Sequence, residues 1–268
     1  MTIPGRHVVV TGHRGILGHV VKRVFEDAGW VVETDDRRFT GEPDDALLQT
    51  IVESEAEVVV NALGITPQRG IADYRMFRDN ALFPQMLAAG LRGRRLIHAS
   101  TDCVFDGRRG GYDVCDIPDE LGAYGLSKRL GELCADVPGS DVVIFRTSMV
   151  GPEPASARGL LAWFLAQEGR VRGWTDHRWN GITTLRWAHL ALAAAEGSIP
   201  AGLHQPATTD EHTKFEMLRT FGEVFGHGIE IEPVRSSRPI DRTLRPTTSE
   251  PSFVDQLVEL RGWIAGDP

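Results

Sequence analysis

The stretch Val8-Val9-Val10-Thr11-Gly12-His13-Arg14-Gly15-Ile16-Leu17-Gly18 sets three evenly spaced glycines between an apolar run and an amphipathic segment. This order is typical of a first strand, a tight turn and the N-terminus of a helix. Gly12 can form the turn, Gly15 leaves room for a pyrophosphate, and Gly18 lets the helix pack closely on the sheet. Because free N–H groups at a helix start bind phosphate, residues 12–18 are candidates for dinucleotide binding. The alternative is an ordinary glycine-rich turn.

Outward from this turn, apolar runs and amphipathic segments alternate through the first half of the chain. The runs are rich in β-branched residues, as in strands that are buried on both faces. The predicted strands span residues 7–11, 30–34, 58–63, 95–100 and 142–147, and the predicted helices span 16–28, 45–54, 74–91 and 124–135. This alternation predicts an α/β fold, a Rossmann-type doubly wound parallel sheet.

The alternation ends near residue 150, and a segment rich in Pro, Ala and Gly at 151–157 is expected to form a crossing loop. Further helices are predicted at residues 159–168, 185–196, 214–225 and 253–263. We therefore expect an NAD(P)-binding Rossmann domain at residues 1–150, to which residues 181–203 return. Residues 151–180 and 204–268 are expected to form a small C-terminal substrate-binding lobe.

Charged residues follow the second predicted strand, where the adenosine ribose of a dinucleotide would lie. An acidic residue there binds the ribose hydroxyls of NAD, whereas an arginine accommodates the 2′-phosphate of NADP. Asp35 and Asp36 are followed by Arg37 and Arg38, and Arg14 in the glycine turn can reach the same phosphate. Because guanidinium binds phosphate through paired hydrogen bonds, NADP(H) is favoured over NAD(H). A solvated charged loop is the alternative for each of these residues taken singly.

Tyr124 and Lys128 are four residues apart in a predicted helix and therefore share one of its faces. Reduction of a ketone needs a proton at the oxygen while hydride reaches the carbon, and a phenol can supply that proton. The ammonium of Lys128 would lower the pKa of Tyr124 and can also bind the nicotinamide ribose. Thr101, or else Ser100, follows the fourth strand and can donate to the substrate oxygen. The alternatives are a surface Tyr, a surface Lys paired with Glu132, and hydroxyls that only cap the strand.

Composition argues against several classes of function. With 29 Lys and Arg against 37 Asp and Glu, the net charge of −8 disfavours general nucleic-acid binding, which needs a basic surface. Three cysteines without a pairing pattern suggest reduced thiols and a cytoplasmic protein. The sequence contains no CxxC or HExxH pattern that would indicate a metal site, no apolar run long enough to cross a membrane, and no signal-peptide core.

Taken together, four motifs resemble the extended short-chain dehydrogenase/reductases that act on nucleotide sugars, above all the dTDP-4-dehydrorhamnose reductases. They are Thr11-Gly12-x-x-Gly15-x-x-Gly18, Val60-Asn61-Ala62, Ser100-Thr101-Asp102-Cys103-Val104-Phe105-Asp106-Gly107 and Tyr124-Gly125-Leu126-Ser127-Lys128-x-x-Gly131-Glu132. The turn Gly12-His13-Arg14-Gly15 is also similar to that of GDP-fucose synthases, which use NADPH. The resemblance covers about the first 150 residues.

The resemblance implies an NADPH-dependent reductase of a nucleotide-linked 4-keto-6-deoxy sugar. It implies a catalytic triad of Thr101, Tyr124 and Lys128, and a strand end at Asn61, Ala62 and Leu63 that lines the cofactor. An epimerase or dehydratase on the same scaffold, and a non-catalytic cofactor-binding subunit, remain alternatives. Such dehydratases often have a Glu directly after the residue equivalent to Asp102, and its absence here disfavours that alternative.

The expected substrate site departs from the family at one position. The rhamnose-pathway reductases usually carry Tyr after Thr-Asp, whereas this chain has Cys103, a small residue expected to pack rather than react. The substrate candidates are Ser100, Asp102, Cys103, Arg146, Trp174 and Trp179, with Arg172, Arg178, Arg235, Arg238 and Arg242 as further pyrophosphate candidates. The tryptophans can stack on a base or cover the sugar, or they can simply pack within the small lobe. A homodimer is left open.

Overall fold

A computed structural model describes residues 6–67, 72–154 and 159–266. In the first half, strands and helices alternate as predicted. The strands are β1 (His7–Thr11), β2 (Val31–Glu33), β3 (Val58–Asn61), β4 (Arg95–Ser100) and β5 (Asp141–Arg146). The helices are α1 (Gly18–Asp27), α2 (Ala46–Glu53), α3 (Asp73–Met76), α4 (Phe83–Gly90) and α5 (Ala123–Glu132).

Shorter strands dominate the second half, whose predicted loop at 151–157 lies partly outside the described residues. The strands are β6 (Met149–Val150), β7 (Arg170–Trp174), β8 (His177–Trp179), β9 (Ile182–Thr183), β10 (Gly202–His204), β11 (Pro206–Thr208), β12 (His212–Thr213), β13 (Glu230–Val234), β14 (Ile240–Asp241) and β15 (Thr248–Glu250). The helices are α6 (Leu160–Leu165), α7 (Thr184–Ala195), α8 (Lys214–Phe225) and α9 (Phe253–Ala265).

The central sheet has six parallel strands in the order β2-β1-β3-β4-β5-β10. The chain runs from β1 outward to β2 and then returns to the other side of β1 as β3. Ligands of open α/β sheets bind where the strand order reverses, outside the carboxyl ends of the strands. Since the glycine turn follows β1 directly, it lies at this reversal. The predicted Rossmann-type doubly wound sheet is confirmed.

Alternate residues of β1 belong to two cores, one on each face of the sheet. Val8 and Val10 join a cluster with apolar residues of α1, α7, α8 and α9, whereas Val9 joins a cluster with residues of α2 and α4. The first cluster extends into the second half of the chain, where α8 packs on α9. Strand β10 pairs with β5, and α7 packs on α1. The later segments therefore lie against the sheet and form one side of its crevice.

The helix predicted over residues 74–91 is interrupted by a π-helical turn at Phe77–Leu82, between α3 and α4. Pro84 lies in the first turn of α4 and has no N–H to donate to the carbonyl of Asn80. Glycine at position 131 of α5 accommodates this carbonyl, because a Cβ there would lie 2.1 Å from the Asn80 oxygen. Helix α5, which carries Tyr124 and Lys128, is thereby held close to the widened turn.

Candidate active site

The backbone of the glycine turn is too closely packed for side chains at two of its glycines. Gly12 has a φ of +68°, and a Cβ there would lie 2.7 Å from the Ala62 carbonyl oxygen. A Cβ at Gly18 would lie 2.2 Å from the carbonyl oxygen of Gly12. Helix α1 begins after Leu17 without a side-chain cap, so its first N–H groups have no side-chain acceptor. The turn therefore fits a dinucleotide pyrophosphate.

A cleft of about 320 Å³ extends from the turn toward the end of β2. Its lining includes Gly12, His13, Arg14, Gly15, Asp35, Asp36, Arg37, Arg38, Ala62 and Leu63, together with Arg75 and Arg78, which the sequence analysis did not single out. Arg14 pairs with Asp36, and Arg37 pairs with Asp35. The side-chain hydrogen bond from Arg37 lowers the pKa of Asp35. Arg38 makes no hydrogen bond or ion pair within the described part of the chain, so its guanidinium is available to a ligand.

A second cleft, of about 340 Å³, opens on the other side of the turn. Both clefts fall in the range of about 300–1,000 Å³ that is usual for small-molecule sites. The predicted residues that line the second cleft are Gly15, Ile16, Leu17, Ala62, Leu63, Ser100, Thr101, Asp102, Cys103, Tyr124, Lys128 and Trp179. The fold thus brings the end of β4 and one face of α5 to the same cleft as the glycine turn.

Tyr124 is held as a neutral phenol. Burial raises its pKa more than the hydrogen bond from Thr101 and the charge of Arg242 lower it. The lowering expected from Lys128 is not seen, because burial dominates and the Lys128 ammonium donates instead to the carbonyl of Ala99. At neutral pH a phenol with a raised pKa keeps its proton, and this is the form that can protonate a ketone oxygen.

Burial lowers the pKa of Lys128 to about 8, against the opposing charges of Glu132 and Cys134. Burial shifts the pKa values of the acidic groups at the end of β4 in the other direction. Burial raises the pKa of Asp102, whose carboxylate accepts from the Thr101 hydroxyl at 3.1 Å. Burial also raises the pKa of Cys103 to about 12, so this group is a thiol and not a nucleophile at neutral pH.

Two predicted substrate residues do not reach the cleft. The Arg146 side chain is only 3% exposed and binds Glu132 through two contacts, Nη2–Oε2 at 2.6 Å and Nε–Oε1 at 2.9 Å. It also donates to Gln205 at 3.2 Å, so its guanidinium makes its hydrogen bonds to the protein and not to the cleft. Trp174 is 46% exposed on β7, where its ring lies 4.2 Å from that of His177. We therefore remove both from the substrate site.

Three other predicted residues have structural positions. Asn61 is fully buried, and it accepts from Thr11 at 2.8 Å and contacts His98 at 3.1 Å, so it links neighbouring strands instead of lining the cofactor. Gly18 packs on Gly12 and lines neither cleft. Ser100 and Thr101 both line the cleft, and each hydroxyl donates to a carboxylate, that of Ser100 to Glu132 at 2.6 Å and that of Thr101 to Asp102 at 3.1 Å.

Most of the pyrophosphate candidates lie on the surface. These exposed residues are Arg172, Arg178, Arg235 and Arg238. Arg242 is half-buried near Asp102 and Cys103, and it donates to the Phe105 carbonyl at 2.7 Å and to Glu120 at 3.2 Å.

A further charged residue of the second cleft that the sequence analysis missed is Lys214, at the first position of α8. It is one of only three lysines in the chain, which was a signal available in the sequence. Within residues 6–67, 72–154 and 159–266, no group of three or more His, Cys, Asp or Glu is arranged to hold a metal ion. In the same ranges, no helix has the length and apolar character needed to cross a membrane.

Comparisons with curated proteins identify relatives that include dTDP-4-dehydrorhamnose reductases and methionine adenosyltransferase 2 beta subunits. A dTDP-4-dehydrorhamnose reductase of Mycobacterium tuberculosis is 26% identical, and the match covers 96% of this chain and 89% of the relative. One from Burkholderia thailandensis is 32% identical, but that match covers only 53% of this chain and 50% of the relative. The methionine adenosyltransferase 2 subunit beta of Xenopus tropicalis is 28% identical over 92% of this chain and 80% of its own length.

Solved structures share the fold at low sequence identity. The dTDP-4-dehydrorhamnose reductase of Bacillus anthracis, in complex with NADP, superposes with a TM-score of 0.83 at 18% identity and covers 96% of this chain and 99% of that one. RMD from Pseudomonas aeruginosa, complexed with NADPH, gives 0.75 at 17% identity, over 97% of this chain and 99% of that one.

The family described as the RmlD substrate binding domain matches residues 6–256, which is most of the chain. That span includes the glycine turn, the cleft with Thr101, Tyr124 and Lys128, and the segments that form its far side. The chain therefore belongs to the RmlD substrate-binding-domain family and is, as its sequence predicted, an NAD(P)-dependent oxidoreductase of the extended short-chain dehydrogenase/reductase type.

Proposed function

We propose that the chain is an NADPH-dependent reductase of a nucleotide-linked 4-keto-6-deoxy sugar. The observation that carries the proposal is the convergence of Thr101, Tyr124 and Lys128 on one cleft beside the glycine turn. Gly12 and Gly18 permit the tight strand-to-helix turn that a pyrophosphate site needs, because side chains there would clash with backbone. The relatives named dTDP-4-dehydrorhamnose reductase supply the substrate class.

In the proposed reaction the bound nicotinamide supplies a hydride to the carbonyl carbon. Tyr124 gives its phenolic proton to the carbonyl oxygen. The Thr101 hydroxyl, which donates to Asp102 in the free protein, would turn to donate a hydrogen bond that orients the same oxygen. The phenol becomes a phenolate as the proton leaves. Lys128 would hold the nicotinamide ribose.

The second half of the chain would complete the substrate site. We propose the domain division predicted above, with residues 151–180 and 204–268 as the substrate-binding lobe. Trp179 lines the cleft from β8, where its ring can stack on a base or cover the sugar. The three cysteines are free thiols and fit a reducing compartment, for which we propose the cytoplasm. A homodimer stays a prediction.

NADPH is favoured over NADH by the charge at the end of β2. Arg14 and Arg37 neutralise Asp36 and Asp35, so the acidic residues are not free to bind ribose hydroxyls alone. Arg38 has no partner among the described residues and can donate hydrogen bonds to the 2′-phosphate that distinguishes NADPH.

Arg38→Ala should therefore raise KM for NADPH by about 10-fold, as expected for loss of a charge-assisted hydrogen bond at an exposed site. KM for NADH should change by less than about twofold, because NADH has no phosphate at this position. Initial rates with each cofactor measure both values. Arg170→Ala, a change of an exposed arginine on β7, is the matched control. An equal increase in KM for NADPH and for NADH would rule out Arg38 as the phosphate ligand.

The pKa of Lys128, lowered to about 8, predicts a pH dependence of cofactor capture. Lys128 is charged below this pKa and neutral above it, and only the charged form binds as an ammonium. We expect kcat/KM for NADPH, which reports the free enzyme, to fall above about pH 8. The fall should be absent in Lys128→Arg, whose guanidinium stays charged. A profile of the parent enzyme that is flat to pH 10 would contradict this role.

The proposal is tested by following NADPH oxidation with dTDP-, UDP- and GDP-linked 4-keto-6-deoxy sugars, with NADH in parallel. Turnover with one of them would establish the reductase and identify its nucleotide. Measurable cofactor binding without oxidation would favour the epimerase or dehydratase alternatives. It would also favour a non-catalytic subunit, which the similarity to the methionine adenosyltransferase 2 beta subunits keeps relevant.

A further inference from the structure

Lys214 enters the second cleft from the side opposite the sheet. It follows Thr213, which is fixed twice, by pairing of β12 with β8 and by a capping box with Glu216. Its side chain lines the cleft together with Asp102, Cys103 and Tyr124. The position of its backbone is therefore well determined, and its side chain faces the groups that surround the reacting carbonyl.

This position is unfavourable for a lysine in the free protein. The N-terminus of a helix is its positive end and disfavours a cation. The cleft also removes water from the ammonium, and this burial lowers the pKa of Lys214. Its ammonium makes no hydrogen bond or ion pair with any residue of the described ranges. The nearby Asp102 offsets these penalties in part, but no residue of the described ranges bonds to the ammonium, which is left available to a ligand.

The charges around Lys214 indicate what kind of group that ligand offers. Asp102 is the largest influence that raises the pKa of Lys214 and so favours its ammonium form against burial. Arg242 adds a second positive charge, which Glu120 neutralises at 3.2 Å. The four charges therefore sum to zero, and an additional carboxylate or phosphate would face Asp102 unpaired. A hydroxyl suits the site better, because it can donate to Asp102 and accept from Lys214 at once.

The hydroxyl would be placed beside the reacting carbonyl. Asp102 follows Thr101 directly and accepts its hydroxyl, and Thr101 interacts with Tyr124. We propose that Lys214 is a specificity-determining residue that, with Asp102, binds the hydroxyl on the carbon next to the ketone of the substrate. The inference rests on the proposed reductase function. It narrows the substrates to keto sugars that keep this vicinal hydroxyl, as opposed to sugars already deoxygenated there.

Lys214→Met tests the inference, because methionine keeps the length of the side chain and removes its charge. We expect kcat/KM to fall about 10- to 100-fold for a 4-keto-6-deoxy sugar that carries the 3-hydroxyl, the range for a lost hydrogen bond to a charged group. For the 3-deoxy analogue, Lys214→Met and the parent should agree within about threefold. Lys22→Met, at an exposed lysine of α1 paired with Glu26, is the matched control and should equal the parent on both substrates.

Binding of the two reduced products, measured by calorimetry, provides a readout that does not need turnover. The parent should bind the 3-hydroxylated product more tightly than the 3-deoxy product, and Lys214→Met should remove that difference. The inference would be overturned if Lys214→Met, with the thermal stability of the parent, lost kcat/KM and affinity equally for both sugars. It would also be overturned if neither quantity fell for either sugar. If the parent reduces neither sugar, the proposed function fails, and the product-binding comparison still decides the role of Lys214.

Discussion

Tyr124→Phe is expected to lower kcat for ketone reduction by about 10³-fold, within the range of about 10²–10⁴ that general acid catalysis contributes. The change removes the proton donor and keeps the ring that packs beside Cys103 and Thr101. Affinity for NADPH should stay within about threefold of the parent, because the proposed cofactor contacts are made by other residues. Steady-state rates and a fluorescence titration of NADPH measure the two quantities.

Tyr74→Phe is the matched control, since Tyr74 is exposed on α3 and lines neither cleft. It should leave kcat unchanged. Reduction that proceeds in Tyr124→Phe at a rate close to that of the parent would exclude Tyr124 as the proton donor. Water, or another group of the cleft, would then have to protonate the substrate oxygen.

Arg146→Met is expected to destabilise the fold by about 3–5 kcal/mol, the usual loss when one partner of a buried ion pair is removed. The carboxylate of Glu132 would keep only the Ser100 hydroxyl among its present side-chain donors, at 2.6 Å. Urea unfolding, followed by circular dichroism, measures the free energy of unfolding. Arg172→Met, at an exposed arginine 3.7 Å from Glu232, should change it by no more than about 1 kcal/mol.

A double substitution distinguishes the stability lost through the unpaired charge of Glu132 from the stability lost through poorer packing at Arg146. Arg146→Met combined with Glu132→Gln removes both charges and should recover part of the lost stability. An Arg146→Met protein that unfolds like the parent but binds the nucleotide sugar weakly would restore the substrate role that the sequence suggested for Arg146.

The sheet could be predicted from the sequence because its signals are local. The run Val8-Val9-Val10 and the glycines that follow determine a strand, a turn and a helix without help from distant residues. The predicted span 95–100 coincides with β4, and the spacing of Tyr124 and Lys128 placed both in α5 and at one cleft. The helix at 74–91 was predicted as one element, because the π-helical turn before Pro84 depends on contacts with α5.

The misassigned residues depend on pairings across the chain. A guanidinium at the end of β5 can face a ligand or a buried carboxylate, and only the fold reveals that Arg146 meets Glu132 of α5. Lys214 was missed because its helix could be predicted from the sequence, whereas the side from which α8 approaches the cleft could not. Local patterns thus identify elements and motifs, whereas long-range packing decides which polar side chains remain free for a ligand.

The central claim is a net hydride transfer to a sugar ketone, and isotope transfer tests it most directly. The enzyme would be supplied with a 4-keto-6-deoxy nucleotide sugar and NADPH that carries deuterium at the transferred position of the nicotinamide. The account predicts a reduced sugar with one deuterium on the former carbonyl carbon, formed in step with oxidised cofactor and about 10³-fold more slowly with Tyr124→Phe. An isomerised or dehydrated sugar without deuterium, or an unchanged sugar in the presence of bound cofactor, would contradict it.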